Sequence, residues 1–252
     1  MRISSVCRTV VAMMVAVALM PAVASAQKRS TAKSWTDSWD DDRSPKETER
    51  VDKTIPMPAN GTLRLKNFSG DIHIVGTSGH DIVLKATRRA GREQLDHIKL
   101  DVATSGSTVT INANKQDAEW ERGRHNNNVV ETSFELQVPA SASLDIDAFS
   151  SDLTIEGIDG DQALKTFSGD IRVRDPKGPI DAETFSADIV VMVEPNAKGS
   201  VSFNTFSGDF DSSIAISSTS NRKRSVEGAL PGGAGRRMKF KTFSGDLQIK
   251  SR

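Results

Sequence analysis

The sequence contains no tyrosine, three tryptophans, four histidines and a single cysteine among its 252 residues. Cys7 lies in a leading segment that is expected to be removed, so the remaining chain has no thiol for disulfides, thiolate metal sites or cysteine nucleophiles. It also precedes the apolar run, which is not where a lipoprotein cysteine sits. Neither sign of charge is in excess, with Lys+Arg 33 against Asp+Glu 33, so nothing draws the whole chain to nucleic acid or an anionic membrane. The longest apolar run, Val10–Met20, has 11 residues, and a spanning helix needs about 20. No integral membrane span is expected after cleavage. A Gly-x-Ser-x-Gly elbow, a His-Glu-x-x-His helix and a Gly-rich phosphate loop are all missing. His73, His80, His97 and His125 lack ligand spacing, and His73 alternates with Ile72 and Ile74 as a solvent-facing strand residue would. No catalytic residue, metal site or cofactor is expected.

What is present begins with Arg2 and Arg8, the apolar run, Pro21 and Ala24-Ser25-Ala26, the three parts of a secretory signal peptide over residues 1–26. Residues 27–50 are polar, carry Trp35 and Trp39, and read as a disordered leader. The two arginines leave with the signal, giving a remaining charge of −2 (31 − 33).

Six of the ten phenylalanines occupy one position of a repeat, Phe-Ser-Gly-Asp and its variants, at Phe68, Phe149, Phe167, Phe185, Phe206 and Phe243. From Phe149 onward the spacings are 18, 18, 21 and 37 residues. The last interval contains a Ser-rich, basic stretch, and treating about 217–237 as a loop insertion restores one ordinary coil. Ile171 and Val173 alternate with Arg172 and Arg174, and Ile180, Ala182 and Thr184 with Asp181 and Glu183, as half-buried strands do. Two short strands, a Gly-Asp turn and a corner at Pro176-Lys177-Gly178-Pro179 make one rung. A lone rung cannot bury its apolar side, so rungs must stack. The expected fold is all-β, a single-stranded β-solenoid of 18–21-residue rungs, regular over 146–252, within a domain spanning 51–252.

At the turn, Gly70, Gly169, Gly208 and Gly245 are expected to supply positive φ, with Ser151 and Ala187 as small replacements. Asp71, Asp152, Asp170, Asp188, Asp209 and Asp246 are expected to close the turn by Asx-type bonds to nearby backbone. A stacked acidic ladder binding Ca²⁺, as in a β-roll, is the alternative reading of the same aspartates. The phenylalanine position is ambiguous. Counting forward, Phe167 shares the parity of Ile171 and points in; counting back, it opposes Leu164 and Thr166 and points out. The preference of Phe for interiors favours buried ring stacking. Rings facing outward would instead form an apolar stripe, with Phe149, Phe167, Phe185, Phe206 and Phe243 as candidate binding residues.

Residues 77–145 do not follow the short period. Strands are expected at 81–86, 98–103, 108–113 and 129–138, a short helix over 92–98 with Leu95 and Ile98 inward, and a polar hairpin loop over 115–128. Together they read as an antiparallel hairpin block capping the solenoid, because an open end exposes unpaired backbone. Lys250 and Arg252 would protect the other end, on the last strand. Asp145/Asp147 read as outward alternation, and Asp159-Gly160-Asp161 is a faint fragment of a calcium loop. Arg222-Lys223-Arg224 with Arg236-Arg237 is the one basic cluster, a solvated loop or a dock for an anionic glycan or lipid headgroup.

The recurring Thr-x-Ser-Gly-Asp-Ile/Leu-x-Val/Ile turn, the Ser-Gly-Asp-Ile-His-Ile-Val-Gly opening at Ser69–Gly76 and the closing rungs resemble the bacterial putative-adhesin domain of unknown function, the toastrack-type β-solenoid family of envelope proteins. The resemblance runs from Val51 to Arg252, and the chain departs from it in placing Phe at nearly every turn. It implies an exported protein, in the periplasm or at the cell surface, with a role in adhesion, envelope-stress signalling or scaffolding. The reading is then a non-enzymatic, adhesin-like or scaffold protein that binds an envelope protein or glycan through a solenoid face. A Ca-binding β-roll-like protein and a polysaccharide-active β-solenoid enzyme are the alternatives.

Overall fold

Alternating apolar residues decide which side of each strand faces the core. In β10 (Gln162–Thr166) positions 162, 164 and 166 are buried, and in β11 (Ile171–Arg174) Ile171 and Val173 are, with Lys165, Arg172 and Arg174 turned outward. These assignments come from a computed structural model that describes residues 46–252 except Arg124, Asn126 and Lys223. The expected signal segment and residues 27–45 of the expected leader lie outside the described residues. No helix among the described residues is long and apolar enough to cross a membrane.

Before β10 come β1 (Glu47–Pro56), β2 (Thr62–Ser69), β3 (Ile72–Thr77) and β4 (Asp81–Ala90). The short helix α1 (Arg92–His97) leads to β5 (Ile98–Ser105) and β6 (Thr108–Gln116). After α2 (Ala118–Arg122) follow β7 (Glu131–Pro139), β8 (Ser143–Ser150) and β9 (Leu153–Glu156). Beyond β11 are β12 (Ile180–Thr184), β13 (Ile189–Val193), β14 (Gly199–Ser207) and β15 (Phe210–Ser212). The chain closes with β16 (Ser217–Arg222), β17 (Ser225–Ala229), β18 (Arg236–Ser244) and β19 (Leu247–Ser251).

Two sheets sandwich the core. One has nine strands in the order β1-β4-β7-β3-β9-β11-β13-β19-β15, the other ten in the order β16-β17-β14-β18-β12-β10-β8-β2-β6-β5. Each rung gives one strand to each sheet, and neighbouring rungs pair in parallel and in register. Register stacks the core into columns: Leu65, Ile146, Leu164, Ala182, Phe240 and Phe203 lie side by side across the ten-stranded sheet. The small Ala182 stands next to the large Phe240, so the column fills its space without over-packing.

The all-β solenoid and the parallel rungs are as expected. Its order along the axis is not the order of the chain. The last rung, β18/β19, lies between β12/β13 and β14/β15, and the first, β2/β3, lies between β6/β7 and β8/β9. Lys250 and Arg252 therefore do not sit on an edge strand; β15 is the edge, because β19 pairs with β13 on one side and β15 on the other.

The expected hairpin block is only partly a cap. β4 pairs antiparallel with β1 and β7, and β5 antiparallel with β6, which covers one end of both sheets. β6 and β7, however, run parallel to β2 and β3 and form a complete rung without the Phe turn. The stretch 115–128 is accordingly no hairpin loop: it joins strands in different sheets and carries α2. The expected helix is present as α1, with Leu95 and Ile98 buried. β1 starts at Glu47, so residues 47–50 belong to a strand instead of the leader, held by pairing of Glu47–Arg50 with Thr87–Ala90. The expected loop at 217–237 contains the hairpin β16–β17, which pairs with β14 and covers the other end of the ten-stranded sheet.

A candidate binding stripe of stacked phenylalanines

Phe68, Phe149, Phe206 and Phe243 are still inside their strands, one residue before the strand ends at Ser69, Ser150, Ser207 and Ser244. The bend comes after them, at Gly-Asp. Counting back along the strand is therefore the valid count, and all six rings point away from the core. The favoured expectation of buried rings is wrong: the six are 42–54% exposed. The forward count failed because it ran across the bend.

In-register pairing turns the repeat into a continuous ladder, Phe68–Phe149–Phe167–Phe185–Phe243–Phe206. Ring centroids are 4.8–4.9 Å apart, the parallel-strand spacing, and the planes lie within 4° of each other except the first pair, at 18°. The stripe is about 24 Å long at that spacing. With roughly 200 Å² of surface per Phe side chain, half-exposed, it presents about 500 Å² of contiguous apolar area, at the top of what monomeric proteins show. Interior rings have both faces covered by neighbours, so the stripe offers ring edges to solvent. At its end Arg224 lies over the outer face of Phe206.

On one flank a shallow groove of about 680 Å³ runs between the rings and the outward charges Asp147, Lys165, Glu183 and Lys241. On the other flank the Ser-Gly-Asp bends line a groove of about 750 Å³ that includes Asp188, Asp209, Asp246 and Arg224. The bends differ from expectation in two ways. Only Gly70 has a positive φ, +101°; at Gly169, Gly208 and Gly245 a Cβ would lie 2.0 Å from the carbonyl oxygen of the adjacent bend. Those glycines answer to close stacking of backbone. The aspartates, too, reach across rungs. Oδ1 of Asp152 accepts from the Asp170 amide, Asp170 from Asp188, Asp188 from Asp246, and Asp246 from Asp209, at 2.8–3.1 Å. Asx closure within one turn is replaced by a ladder that satisfies bend amides, and Arg172 adds a bridge to Asp152 and Asp170. The Asp71 carbonyl accepts from the Phe134 amide, the same strand-pairing bond that the carbonyls of Asp152, Asp170, Asp188, Asp209 and Asp246 make to strand amides. In the first rung Asn67 fills the inner corner and donates to the carbonyls of Ser69, Gly70 and Thr132.

Of the basic residues named from the sequence, Lys223 lies outside the described residues, and Arg224 and Arg236 are not brought together. Arg224 caps the ladder, whereas Arg236 opens β18 at the other end of the strand and lines a cleft with Asp175 and Glu194. Burial pushes the Arg236 guanidinium down, against the opposing pull of Glu194 and Asp175.

A cluster with no sequence signal forms at the cap. His125 stacks on Trp120 at 3.5 Å between centroids, and His97 on the same indole at 5.3 Å. Asp117 caps α2 by accepting from the Glu119 and Trp120 amides and pairs with His97 Nδ1 at 2.9 Å. That bond to Asp117 holds the His97 imidazole above its ordinary range. The Trp120 amide first, and then His97, hold the Asp117 carboxyl below its own.

The described geometry matches known folds. A family model described as Toastrack DUF4097 matches residues 45–250. No curated protein matches in sequence. Among solved structures, a "putative cell adhesion protein" from Clostridium sporogenes aligns with a TM-score of 0.56 at 9% identity, over 81% of this chain and 100% of that one. A "putative adhesin" from Bacteroides fragilis aligns over 81% of this chain and 97% of that one, at 10% identity and a TM-score of 0.25. The first of these likenesses shows a shared fold.

Proposed function

Because the chain belongs to the Toastrack DUF4097 family, we propose that it is a non-enzymatic, exported envelope protein, adhesin-like or a scaffold, that binds a protein partner along the phenylalanine stripe. The observation that carries this is the ladder of six half-exposed rings on the outward face of one sheet. Apolar side chains of that size are ordinarily buried, and a contiguous exposed row of them marks an interaction surface. The arrangement favours protein over glycan. A sugar ring docks on an aromatic face, and here the interior faces are stacked against one another. Ring edges, with their positive rim, suit aliphatic side chains and the faces of aromatic ones. The leading Arg2, Arg8, Val10–Met20 and Ala24-Ser25-Ala26 support export, and the name carried by the Clostridium sporogenes structure supports an adhesin-like role.

A photo-crosslinking residue at Lys165, beside the stripe, tests the reading in intact cells against one at Gln248, outward on the other sheet. Specific protein adducts are expected from position 165 only. The double variant Phe167→Ser/Phe185→Ser should remain folded, lose the adduct and fail to complement a deletion strain under envelope stress. Full complementation by that variant would end the proposal.

A further inference from the structure

Resting on the reading of the stripe as a protein interface, we infer that the partner seated on it is a second copy of this chain, in an antiparallel two-fold pair. The column of outward residues nearest the rings, two places before each Phe, runs Lys66, Asp147, Lys165, Glu183, Lys241, Asn204 along the solenoid. Its signs alternate without exception until the neutral end. The next column runs Arg64, Asp145, Ala163, Asp181, Lys239, Ser202.

Alternation relieves like-charge repulsion between neighbouring strands, but the two columns differ in what else they do. The outer column is paired within the chain, Arg64 with Asp145 at 2.7 Å and Lys239 with Asp181 at 3.0 Å. Among the described residues, the five charges beside the rings make no ion pair within the chain. Their partners are left to come from outside, and an alternating row repels any partner whose facing charge has one sign.

The row is complementary to itself in one orientation. A two-fold axis along the strand direction, midway between β10 and β12, reverses the order of the six rungs and lays each column on its own copy. Lys165 then faces Glu183 of the second copy, Asp147 faces Lys241, and Asp145 faces Lys239, each pair occurring twice by symmetry. Lys66 meets Asn204, Arg64 meets Ser202, and Ala163 meets Asp181, so no like charges meet in either of these two columns. Shifting one rung either way sets Lys on Lys and acid on acid. An axis along the solenoid does the same, by placing each rung on its own equivalent. The ring stripe meets its copy over its whole length, Phe167 against Phe185, Phe149 against Phe243 and Phe68 against Phe206.

The two stripes together bury about 1,000 Å² of ring surface, near the lower limit for a specific interface. The pair is therefore expected to be concentration-dependent. Sedimentation velocity on the purified protein, from about 1 to 100 μM, the range an interface of that size suggests, should show a rapid monomer–dimer exchange weakened by salt. Lys165→Glu and Glu183→Lys alone should each weaken the dimer about tenfold or more, by bringing like charges together twice. The double exchange Lys165→Glu/Glu183→Lys should recover it, although within each chain it sets like charges on neighbouring strands and should not raise the melting temperature. That split separates pairing between copies from stability within one. Monomer at every concentration, or a double exchange no better than the singles, overturns the inference. If that happens while position 165 still crosslinks a different envelope protein, self-pairing falls and the stripe reading stands. If no adduct forms and Phe167→Ser/Phe185→Ser complements fully, both fall.

Discussion

Arg224 holds its guanidinium carbon 4.6 Å from the centroid of the Phe206 ring, covering the last face of a ladder whose other internal faces are covered by rings. A cation there meets the negative π-face and shields it from water. Such a contact is worth about 0.5–1 kcal/mol at an exposed site. Arg224→Ala should lower urea stability by about that amount, and a loss several times larger would mean Arg224 also holds the β16–β17 hairpin. The ladder itself predicts a position effect. Phe167→Ser removes two stacking neighbours and should cost roughly twice what Phe68→Ser costs, at about 0.5–1.5 kcal/mol per pair. Equal losses would show that the rings do not stabilise one another.

Asp170 accepts the Asp188 amide through Oδ1 at 3.1 Å and Arg172 through Oδ2 at 2.6 Å. Asp170→Ala leaves a bend amide without its acceptor and should cost about 1–3 kcal/mol, the penalty for an unsatisfied donor. Asp170→Asn keeps an acceptor oxygen and should cost less. Denaturant midpoints of the two variants check the order, and equal losses would assign the effect to the charge facing Arg172 in place of the acceptor oxygen.

Along the stack of bends the third position reads Gly70, Ser151, Gly169, Ala187, Gly245, Gly208, so no two residues bearing a Cβ adjoin. Gly169→Ala would put three in a row, with the new methyl 2.0 Å from the Ser151 carbonyl oxygen. Backbone must move, at an expected cost of about 1–3 kcal/mol. Ala187→Gly should cost under about 1 kcal/mol, by chain entropy alone. Thermal melts of both variants decide it.

The His97–Asp117 pair gives the cap a pH dependence. His97 is held above its ordinary 6.5, so its contribution is complete below that value and fades as pH rises through the raised one. Asp117 is held below its ordinary 3.8, so its contribution is complete above that value and fades as pH falls through the lowered one. Together they stabilise the cap most between those two ordinary values. His97→Gln should therefore lose stability relative to the parent at about pH 5–6, with the gap narrowing toward about pH 9. A gap that does not change with pH would leave ring stacking on Trp120 as the whole of the effect.

Much of the architecture could be read from the chain because it is local. A Phe-Ser-Gly-Asp bend every 18–21 residues, flanked by residues like Ile171 and Val173 alternating with arginines, gives the rung and its strands without any long-range information. What stayed hidden depends on which rung lies beside which. Nothing near Thr184 says that β12 pairs with β18 in preference to β14, and nothing near Asp170 says that its acceptor role belongs to Asp188. The direction of Phe167 turned on a single fact, whether the strand bends before or after the ring. Trp120 between His97 and His125 is a meeting of three separate elements, so no spacing could reveal it. The rung β6/β7 was masked by its bend, which carries α2 where the others carry Phe.

The placement of β18/β19 also bears on when this protein can be finished. Most solenoids grow like a stack of plates, each new coil laid on the exposed end of the last. Here Arg236–Ser251 pairs with β12 and β13 on one side and β14 and β15 on the other, so it fills a slot left open inside the stack. Synthesis delivers this segment after every strand it joins. Until it arrives, β12 and β14 lack the strand that joins them, and the two parts of the core are held together by the chain alone. Arg236–Ser251 acts as a keystone, and the stack becomes one cooperative body only with β18 and β19 in place.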